Sequence, residues 1–140
     1  MAIEGMLKYG VPASITLAQG LLESGAGRGR LVLLGNNHFG IKCHGWLGRT
    51  ISHDDDAKGE CFRAYDSALE SFEDHCKFLR DRPRYSSLFS LDRSDYRGWA
   101  YGLKRAGYAT NPVYAQSLIN LIELYKLYEY DKAKSFDRFM

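Results

Sequence analysis

The sequence predicts a mostly helical α+β domain with one small antiparallel β-hairpin lobe. Apolar residues recur at helical spacing before residue 35 and again after residue 67, whereas the segment from 39 to 65 alternates in the manner of strands. The 140 residues, 45% hydrophobic and 26% charged, fit one folded domain. We expect that domain to span residues 1–130 and a polar tail to follow at 131–140.

The N-terminal third predicts three helices. Residues 1–9 form a short helix that Gly10 ends, and Pro12 opens a second helix at its first turn, where its missing N–H costs nothing. The apolar stripe of this second helix comprises Ile15, Ala18, Leu21 and Leu22. The apolar run 31–34 predicts a further short helix.

The hairpin lobe is predicted from two alternating segments, residues 39–43 and 61–65. Together with the intervening Thr50-Ile51, they suggest two or three short antiparallel strands. The three cysteines, Cys43, Cys61 and Cys76, cannot all pair with one another. We expect reduced, partly buried thiols, with a Cys43–Cys61 bridge between neighbouring strands as the alternative.

Four helices are predicted after the hairpin. Their starts are a capping box at 67–70, the Arg-Pro-Arg-Tyr segment at 82–85, a Ser94 cap, and Asn111-Pro112 before a long final helix. The residues expected to face inward are Phe72, Cys76, Leu79, Trp99, Leu103, Ala106, Leu118, Leu121, Ile122 and Tyr125.

Composition excludes several classes of function. A net charge of +2, from 19 basic and 17 acidic residues, is too balanced for a protein that binds nucleic acid by neutralising phosphates. No apolar run approaches 18 residues, so no membrane insertion is expected, and the start of the chain lacks the pattern of a signal peptide. Histidines crowd the hairpin, but no zinc-binding motif is present, so we expect neither metal nor cofactor.

Glu23 is the first candidate for a catalytic group. It lies in the last turn of an apolar helix, just before glycines that would let a substrate approach closely. A carboxyl group at the edge of an apolar wall is expected to have a raised pKa, as a general acid working near neutral pH requires. The ten tyrosines in turn favour a cleft whose rings stack on sugars or bases.

Five segments, in one order, resemble glycoside hydrolase family 73, the glucosaminidases of bacterial autolysins and flagellar peptidoglycan hydrolases. They are Ala-Gln-Gly-Leu-Leu-Glu-Ser-Gly at 18–25, Asn-Asn-His-Phe-Gly-Ile-Lys at 36–42, Cys-Phe-Arg-Ala-Tyr at 61–65, Arg-Pro-Arg-Tyr at 82–85, and Ala-Gly-Tyr-Ala-Thr-Asn-Pro-Val-Tyr-Ala at 106–115. The resemblance runs from about residue 10 to residue 127.

The resemblance implies a lysozyme-like helical lobe beside a β-lobe. It also implies that residues 1–130 hydrolyse the β-1,4 bond between N-acetylglucosamine and N-acetylmuramic acid in peptidoglycan. The catalytic glutamate of the family falls on Glu23, and we expect Tyr108 to position the acetamido group or a water. The residues expected to bind substrate are Asn37, Phe39, Trp46, Tyr108, Asn111 and Tyr114.

The second carboxylate is the point at which the chain departs from the family. Many members carry a glutamate several residues before the Phe-Arg-x-Tyr strand, and none stands there in this sequence. Asp54 is the first choice for the base or stabilising group, Asp55 or Asp56 the next, and Glu60 the last because it abuts the strand. Inverting, retaining and substrate-assisted mechanisms stay open, since they differ in the separation of the carboxyl groups.

Two other functions fit the same residues. A lytic transglycosylase would use Glu23 alone and give an anhydro-muramyl product, and a non-catalytic glycan-binding module would keep the tyrosine-lined cleft without turnover. In each case the expected partner is the peptidoglycan glycan strand, bound by a monomer. That substrate predicts a periplasmic, cell-envelope or secreted location, despite the absent signal peptide.

Overall fold

The computed structural model describes residues 1–25, 29–53 and 59–134. Six α-helices lie in these ranges: α1 Ala2–Tyr9, α2 Ala13–Gly25, α3 Gly29–Gly35, α4 Ala68–Asp81, α5 Tyr96–Arg105 and α6 Tyr114–Leu124. The described strands are β1 Thr50–His53 and β2 Glu60–Arg63, and two 3-10 helices occupy Pro83–Ser90 and Leu127–Lys132. The predicted mostly helical α+β class with a small antiparallel lobe is confirmed.

Local capping chemistry sets several helix boundaries where the sequence predicts them. Gly10 ends α1 in the left-handed conformation with φ 86°. The carbonyl of Pro12 accepts a hydrogen bond from the Thr16 N–H at 3.2 Å, so α2 begins directly after the proline. At α4 the Ser67 Oγ accepts from the Glu70 N–H at 3.3 Å, as the capping box predicts.

Two later helix starts differ from the prediction. The cap of α5 is Asp95 rather than Ser94, because the Asp95 Oδ1 accepts from the Gly98 N–H at 2.9 Å. The final helix begins three residues after Asn111, whose Oδ1 accepts from the Val113 N–H at 3.0 Å and holds a turn there. That helix ends at Leu124, and Tyr125, expected to face inward, is 59% exposed.

The β-lobe is a two-stranded antiparallel hairpin. Thr50 lies opposite Arg63 and Ile51 opposite Phe62. The predicted strand at 39–43 is wrong, because that segment contributes only an isolated bridge from Lys42 to Phe62.

A disulfide joins Cys43 to Cys61 across 18 residues, which corrects the expectation of reduced thiols for this pair. The bridge ties the segment before the hairpin to β2, where the Cys43 N–H also donates to the Cys61 carbonyl at 3.1 Å. Cys76, on α4, is a free thiol and is fully buried.

The main core lies between α2, α4, α5 and α6, and Trp99 is one of its largest buried side chains. Ile15 and Ala18 of the predicted α2 stripe are fully buried, whereas Leu21 is 46% exposed. The stripe is therefore corrected at Leu21, which lies about 100° around the helix from Leu22 and faces away from the core. Other buried members of this core are Val11, Leu79, Leu88, Leu103, Leu118, Ile119 and Ile122.

The C-terminal segment packs on α2. Asp131 is buried and accepts hydrogen bonds from the N–H and the hydroxyl of Ser14, at 2.8 and 2.5 Å. Ala133 is fully buried as well. Residues 131–133, which the sequence assigns to a polar tail, are thus part of the fold because these contacts hold them. No helix in the described residues is long and apolar enough to cross a bilayer.

Candidate active site

A cleft of about 850 Å³ separates the end of α2 from the segment that leads into the β-lobe. Its other sides come from the start of the 3-10 helix Pro83–Ser90 and from residues 107–117. Of the sequence-predicted site residues, the cleft brings together Glu23, Phe39, Tyr108, Asn111 and Tyr114.

Glu23 lies in the last turn of α2 and is half-buried in the cleft wall. Within the described part of the chain it is the one carboxylate that lines the cleft. Three residues earlier, Gly20 faces the Phe39 ring, and a Cβ atom at that position would lie 3.5 Å from it. A Cβ atom at that distance would make ordinary van der Waals contact, so this turn of α2 packs directly on the Phe39 ring.

Tyr114 is held by a buried hydrogen-bonded chain behind Glu23. The His75 Nε2 lies 2.7 Å from the Gln19 Oε1, and the Gln19 Nε2 donates to the Tyr114 hydroxyl at 2.8 Å. Burial lowers the pKa of His75 to about 3, so the ring is neutral and donates from Nε2. Burial, and to a lesser extent the charge of Glu23, raise the pKa of Tyr114, which keeps its phenol protonated.

Three tyrosine rings continue the wall beside Glu23. The Tyr108 ring stacks on Tyr114 with centroids 5.8 Å apart and contacts Tyr85 at 6.0 Å. Gly107, at φ 84°, makes the turn that directs the following segment into the cleft. Asn111 lines the same edge, where its side chain caps Val113. This side of the cleft can therefore offer ring faces and hydroxyl groups to a sugar.

Phe39 borders the cleft but is only 2% exposed. Its ring stacks on His75 with centroids 4.0 Å apart and meets Phe72 edge-on. The buried ring supports the cleft wall from behind, and the predicted role of Phe39 in substrate binding stays a prediction.

Asn37 and Trp46 lie outside the cleft lining. The Asn37 amide, 1% exposed, donates to the carbonyls of Ile41 and Arg63 and accepts from the Ile41 N–H. The Trp46 ring packs on the Arg63 guanidinium at 4.9 Å and on Tyr65. Both residues make these contacts within the chain, and their predicted roles in substrate binding stay predictions.

The predicted second carboxylate lies outside the described residues, since these omit Asp54, Asp55 and Asp56. Glu60, the last choice, stands in β2 with its Oε1 2.7 Å from the Lys42 ammonium. In the described ranges, no three His, Cys, Asp or Glu residues are grouped so as to hold a metal ion.

Sequence reasoning missed two sets of residues in or behind the cleft. Gln19 stands one helical turn before Glu23, and that i, i+4 spacing could have placed it on the same face of α2. The second set is basic: Lys42, Arg82 and Arg84 line the cleft around His44. The pKa of His44 is lowered by partial burial and then by the charges of Arg82, Arg63, Lys42 and Arg84. Lys42, Arg82 and Arg84 stand in two of the segments that resemble the family, but neither segment indicates that these side chains meet at one edge of a cleft.

A half-buried carboxylate in a cleft between a helical lobe and a small β-lobe defines the class of lysozyme-like glycoside hydrolases. Residues 1–127 match the model of the glucosaminidase family, described as mannosyl-glycoprotein endo-beta-N-acetylglucosaminidase. The chain belongs to this glucosaminidase family, and its resemblance to glycoside hydrolase family 73 is confirmed.

Individual proteins agree with the family assignment. The exo-glucosaminidase LytG of Bacillus subtilis strain 168 is 36% identical over 138 residues, which cover 89% of this chain and 48% of LytG. The chain thus spans about half the length of this curated relative. The crystal structure of a peptidoglycan hydrolase from Sphingomonas sp. A1 superposes with a TM-score of 0.75 at 30% identity, covering 96% of this chain and 90% of that one. The glycoside hydrolase domain of Salmonella typhimurium FlgJ gives a TM-score of 0.72 at 30% identity, with coverages of 98% and 89%.

Proposed function

We propose that residues 1–134 form the catalytic domain of a peptidoglycan hydrolase that cleaves the β-1,4 bond between N-acetylglucosamine and N-acetylmuramic acid. The observation that carries the proposal is Glu23, half-buried in a tyrosine-lined cleft of about 850 Å³. Relatives named as a glucosaminidase and as peptidoglycan hydrolases support the substrate class. Such a substrate places the working protein in the cell envelope or outside the cell, where we expect it to act as a monomer.

In the proposed reaction Glu23 protonates the glycosidic oxygen that leaves. Leu22 and Ile41 line the same cleft, and an apolar lining favours the protonated form of a carboxyl group. One of the carboxylates of Asp54, Asp55 or Asp56 deprotonates the attacking water or stabilises the oxocarbenium-like centre.

The tyrosines orient the sugar in this proposal. The Tyr114 oxygen accepts from Gln19, so its own proton points away from Gln19 and can be donated to a substrate oxygen. Because the pKa of Tyr114 is raised by burial, that proton is retained at all pH values at which the enzyme would work. Tyr108, stacked on Tyr114, positions the acetamido group or a water.

The test is mass spectrometry of the soluble fragments released from purified peptidoglycan, with and without borohydride reduction. We expect wild type to release fragments whose reducible end is N-acetylglucosamine. Glu23→Gln removes the acidic proton with little change of shape, so it should fold normally and lose roughly 10²–10⁴-fold in kcat. Glu73→Gln is the control, since Glu73 lies on α4 and pairs with Lys8 outside the cleft.

Other products would redirect the proposal. Reducing N-acetylmuramic ends would indicate a muramidase, and anhydro ends a lytic transglycosylase. Binding of glycan without any product would indicate a binding module, and substantial activity in Glu23→Gln would remove Glu23 from its role. Fragment length separates endo from exo cleavage, which matters because the family description says endo and LytG is named exo.

The acidic segment is tested by the separate variants Asp54→Asn, Asp55→Asn and Asp56→Asn. We expect one of them to lower kcat by about 10²-fold or more. Wild-type rates in all three would favour substrate assistance by the N-acetyl group.

A further inference from the structure

One edge of the cleft is basic. Arg82 and Arg84 flank Pro83 at the start of the 3-10 helix, and Lys42 and His44 face them from the segment before the hairpin. Because a residue that precedes proline is held extended, Arg82 adopts φ −86° and ψ 125° and cannot continue α4. The chain therefore leaves the helix at the point where both arginines border the cleft.

Aromatic rings of the cleft wall hold the two guanidinium groups. The Arg82 guanidinium lies 4.1 Å from the centroid of the Phe78 ring, and that of Arg84 lies 5.9 Å from the Tyr85 ring. Both rings line the same cleft. A cation–π contact holds a guanidinium near the ring while leaving its N–H groups available for hydrogen bonds, and the contact is closest at Arg82.

The charges of these arginines are not balanced within the described residues. Arg63 pairs with Asp74 at 2.9 Å and Lys42 with Glu60 at 2.7 Å, whereas no carboxylate of the described ranges pairs with Arg82 or Arg84. The positive charges of both arginines act on His44 across this edge of the cleft, since both contribute to its lowered pKa. A cleft with this edge should attract anionic groups on a ligand.

Building on the proposed function, we propose that Arg82 and Arg84 form a subsite for the carboxylate groups that substitute the glycan strand. The pyranose rings of the strand are neutral. Carboxylates occur on the lactyl group of muramic acid when it is free and on the peptide stem when one is attached. A guanidinium binds a carboxylate through two parallel hydrogen bonds, which a neutral sugar hydroxyl cannot match. The arginines would then make the enzyme select strands that carry these groups.

The test compares three soluble glycan preparations. The first keeps its peptide stems, the second is the same material with all carboxylates converted to neutral amides by carbodiimide and ammonia, and the third is stripped of stems and keeps only lactyl carboxylates. The readout is kcat/KM for wild type, Arg82→Gln, Arg84→Gln and the double variant. Arg80→Gln is the matched control, because Arg80 stacks on Phe89 at 4.4 Å in the same way but lies outside the cleft lining.

We expect wild type to prefer the carboxylate-bearing strands to the amidated ones. Each single variant should lower that preference about 3- to 10-fold, and the double variant should bring it close to one. Arg80→Gln should keep the wild-type preference, and the charge-conserving Arg82→Lys should keep only part of it, since an ammonium cannot make the two parallel hydrogen bonds. A preference for stem-bearing over stripped strands would assign the subsite to the peptide, because the attached stem converts the lactyl carboxylate into an amide. A preference for stripped strands would assign it to the lactyl group, and equal rates would mean that it accepts either carboxylate.

Thermal melts of every variant establish that it is folded, and Arg84→Gln with Arg82→Lys suffices if Arg82→Gln does not fold. A double variant with the wild-type preference would overturn the subsite while leaving the hydrolase intact. Absence of turnover by wild type on all three preparations would instead refute the proposed function.

Discussion

The two walls that face each other across the cleft are built by opposite means. Behind Glu23, the helical wall is neutral: His75, Gln19 and Tyr114 form one buried chain of hydrogen bonds between uncharged groups. On the β-lobe side, Lys42 and His44 line the cleft, and charged and cross-linked contacts hold them from outside the lining: the Arg63 Nε–H donates to the Lys42 carbonyl at 3.1 Å. Asp74 accepts from the Arg63 guanidinium at 2.9 Å and from the Tyr65 hydroxyl at 2.5 Å, and the Cys43–Cys61 disulfide lies beside them.

Helix α4 contributes to both walls, with a charged residue on one side and a neutral residue on the other. Asp74 and His75 are adjacent on α4, yet the first points to the β-lobe as an anion and the second into the core as a neutral ring. A fixed charge directly behind Glu23 would shift its protonation, whereas neutral hydrogen bonds orient Tyr114 without adding charge. The proposed recognition of carboxylates, in contrast, needs the charges of Arg82 and Arg84 at the basic edge of the cleft.

The largest expected difference between the walls is a loss of stability at low pH, which protonation of His75 causes in the helical wall. The pKa of His75 is about 3 in the folded protein and near 6.5 when unfolded, so the unfolded chain binds a proton first as the pH falls. The contribution of His75 to folding is complete above pH 6.5 and is lost between pH 6.5 and 3. The free energy of unfolding should fall by about 1.4 kcal/mol per pH unit there, roughly 4–5 kcal/mol in all.

Urea unfolding at several pH values checks this slope. His75→Gln, which can still donate a hydrogen bond but does not titrate, should be less stable at pH 7 and show a shallower slope in acid. The same slope in both proteins would mean that carboxylates, and not the neutral helical wall, govern acid sensitivity.

The β-lobe wall should depend instead on its disulfide. Closing a loop of 18 residues is worth about 3 kcal/mol through the entropy of the unfolded chain. Addition of a reductant should therefore lower the melting temperature of wild type and leave that of the Cys43→Ala/Cys61→Ala variant unchanged. Hydrogen exchange should accelerate at the amides of β2 and much less at those of α2. Uniform acceleration across both walls would show that they do not behave as separate units.

A substitution at Gln19 interrupts the hydrogen-bonded chain between His75 and Tyr114, with a smaller expected effect on stability. Gln19→Leu leaves the His75 N–H and the Tyr114 hydroxyl buried without partners, which should cost about 2 kcal/mol. Tyr114→Phe removes one end, and the double variant should be more stable than the sum of the two losses predicts. Chemical denaturation of the four proteins measures that coupling, and strictly additive losses would rule out a cooperative chain.

The sequence predicts those features that depend on local chemistry. The end of α1 at Gly10 and the start of α4 at Ser67 follow from one residue and its immediate neighbours, and both are confirmed. The position of Glu23 at the end of α2 follows in the same way from an apolar helix bounded by a proline and glycines. The fold class can be predicted from one observation, the change of hydrophobic spacing from helical to alternating and back along the chain.

The features that the sequence does not predict join distant segments. The alternation at 39–43 arises because Phe39 and Ile41 are buried, 2% and 5% exposed, and not because the segment pairs in a sheet. His75 and Gln19 stand 56 positions apart, and each alone looks like an ordinary polar residue on a helix. The basic edge likewise depends on how the segment after α4 meets the segment before the hairpin, which only the packed fold determines.

The smallest expected effect tests whether α4 couples the two walls. Ser67 caps this helix by accepting from the Glu70 N–H, so Ser67→Ala should cost about 1 kcal/mol. Because Asp74 and His75 lie on the same helix, the loss should appear equally in the exchange rates of amides in both walls. Ser67→Asp, which can also cap the helix, should restore the stability. Faster exchange in only one wall would mean that α4 does not couple the stability of the two walls.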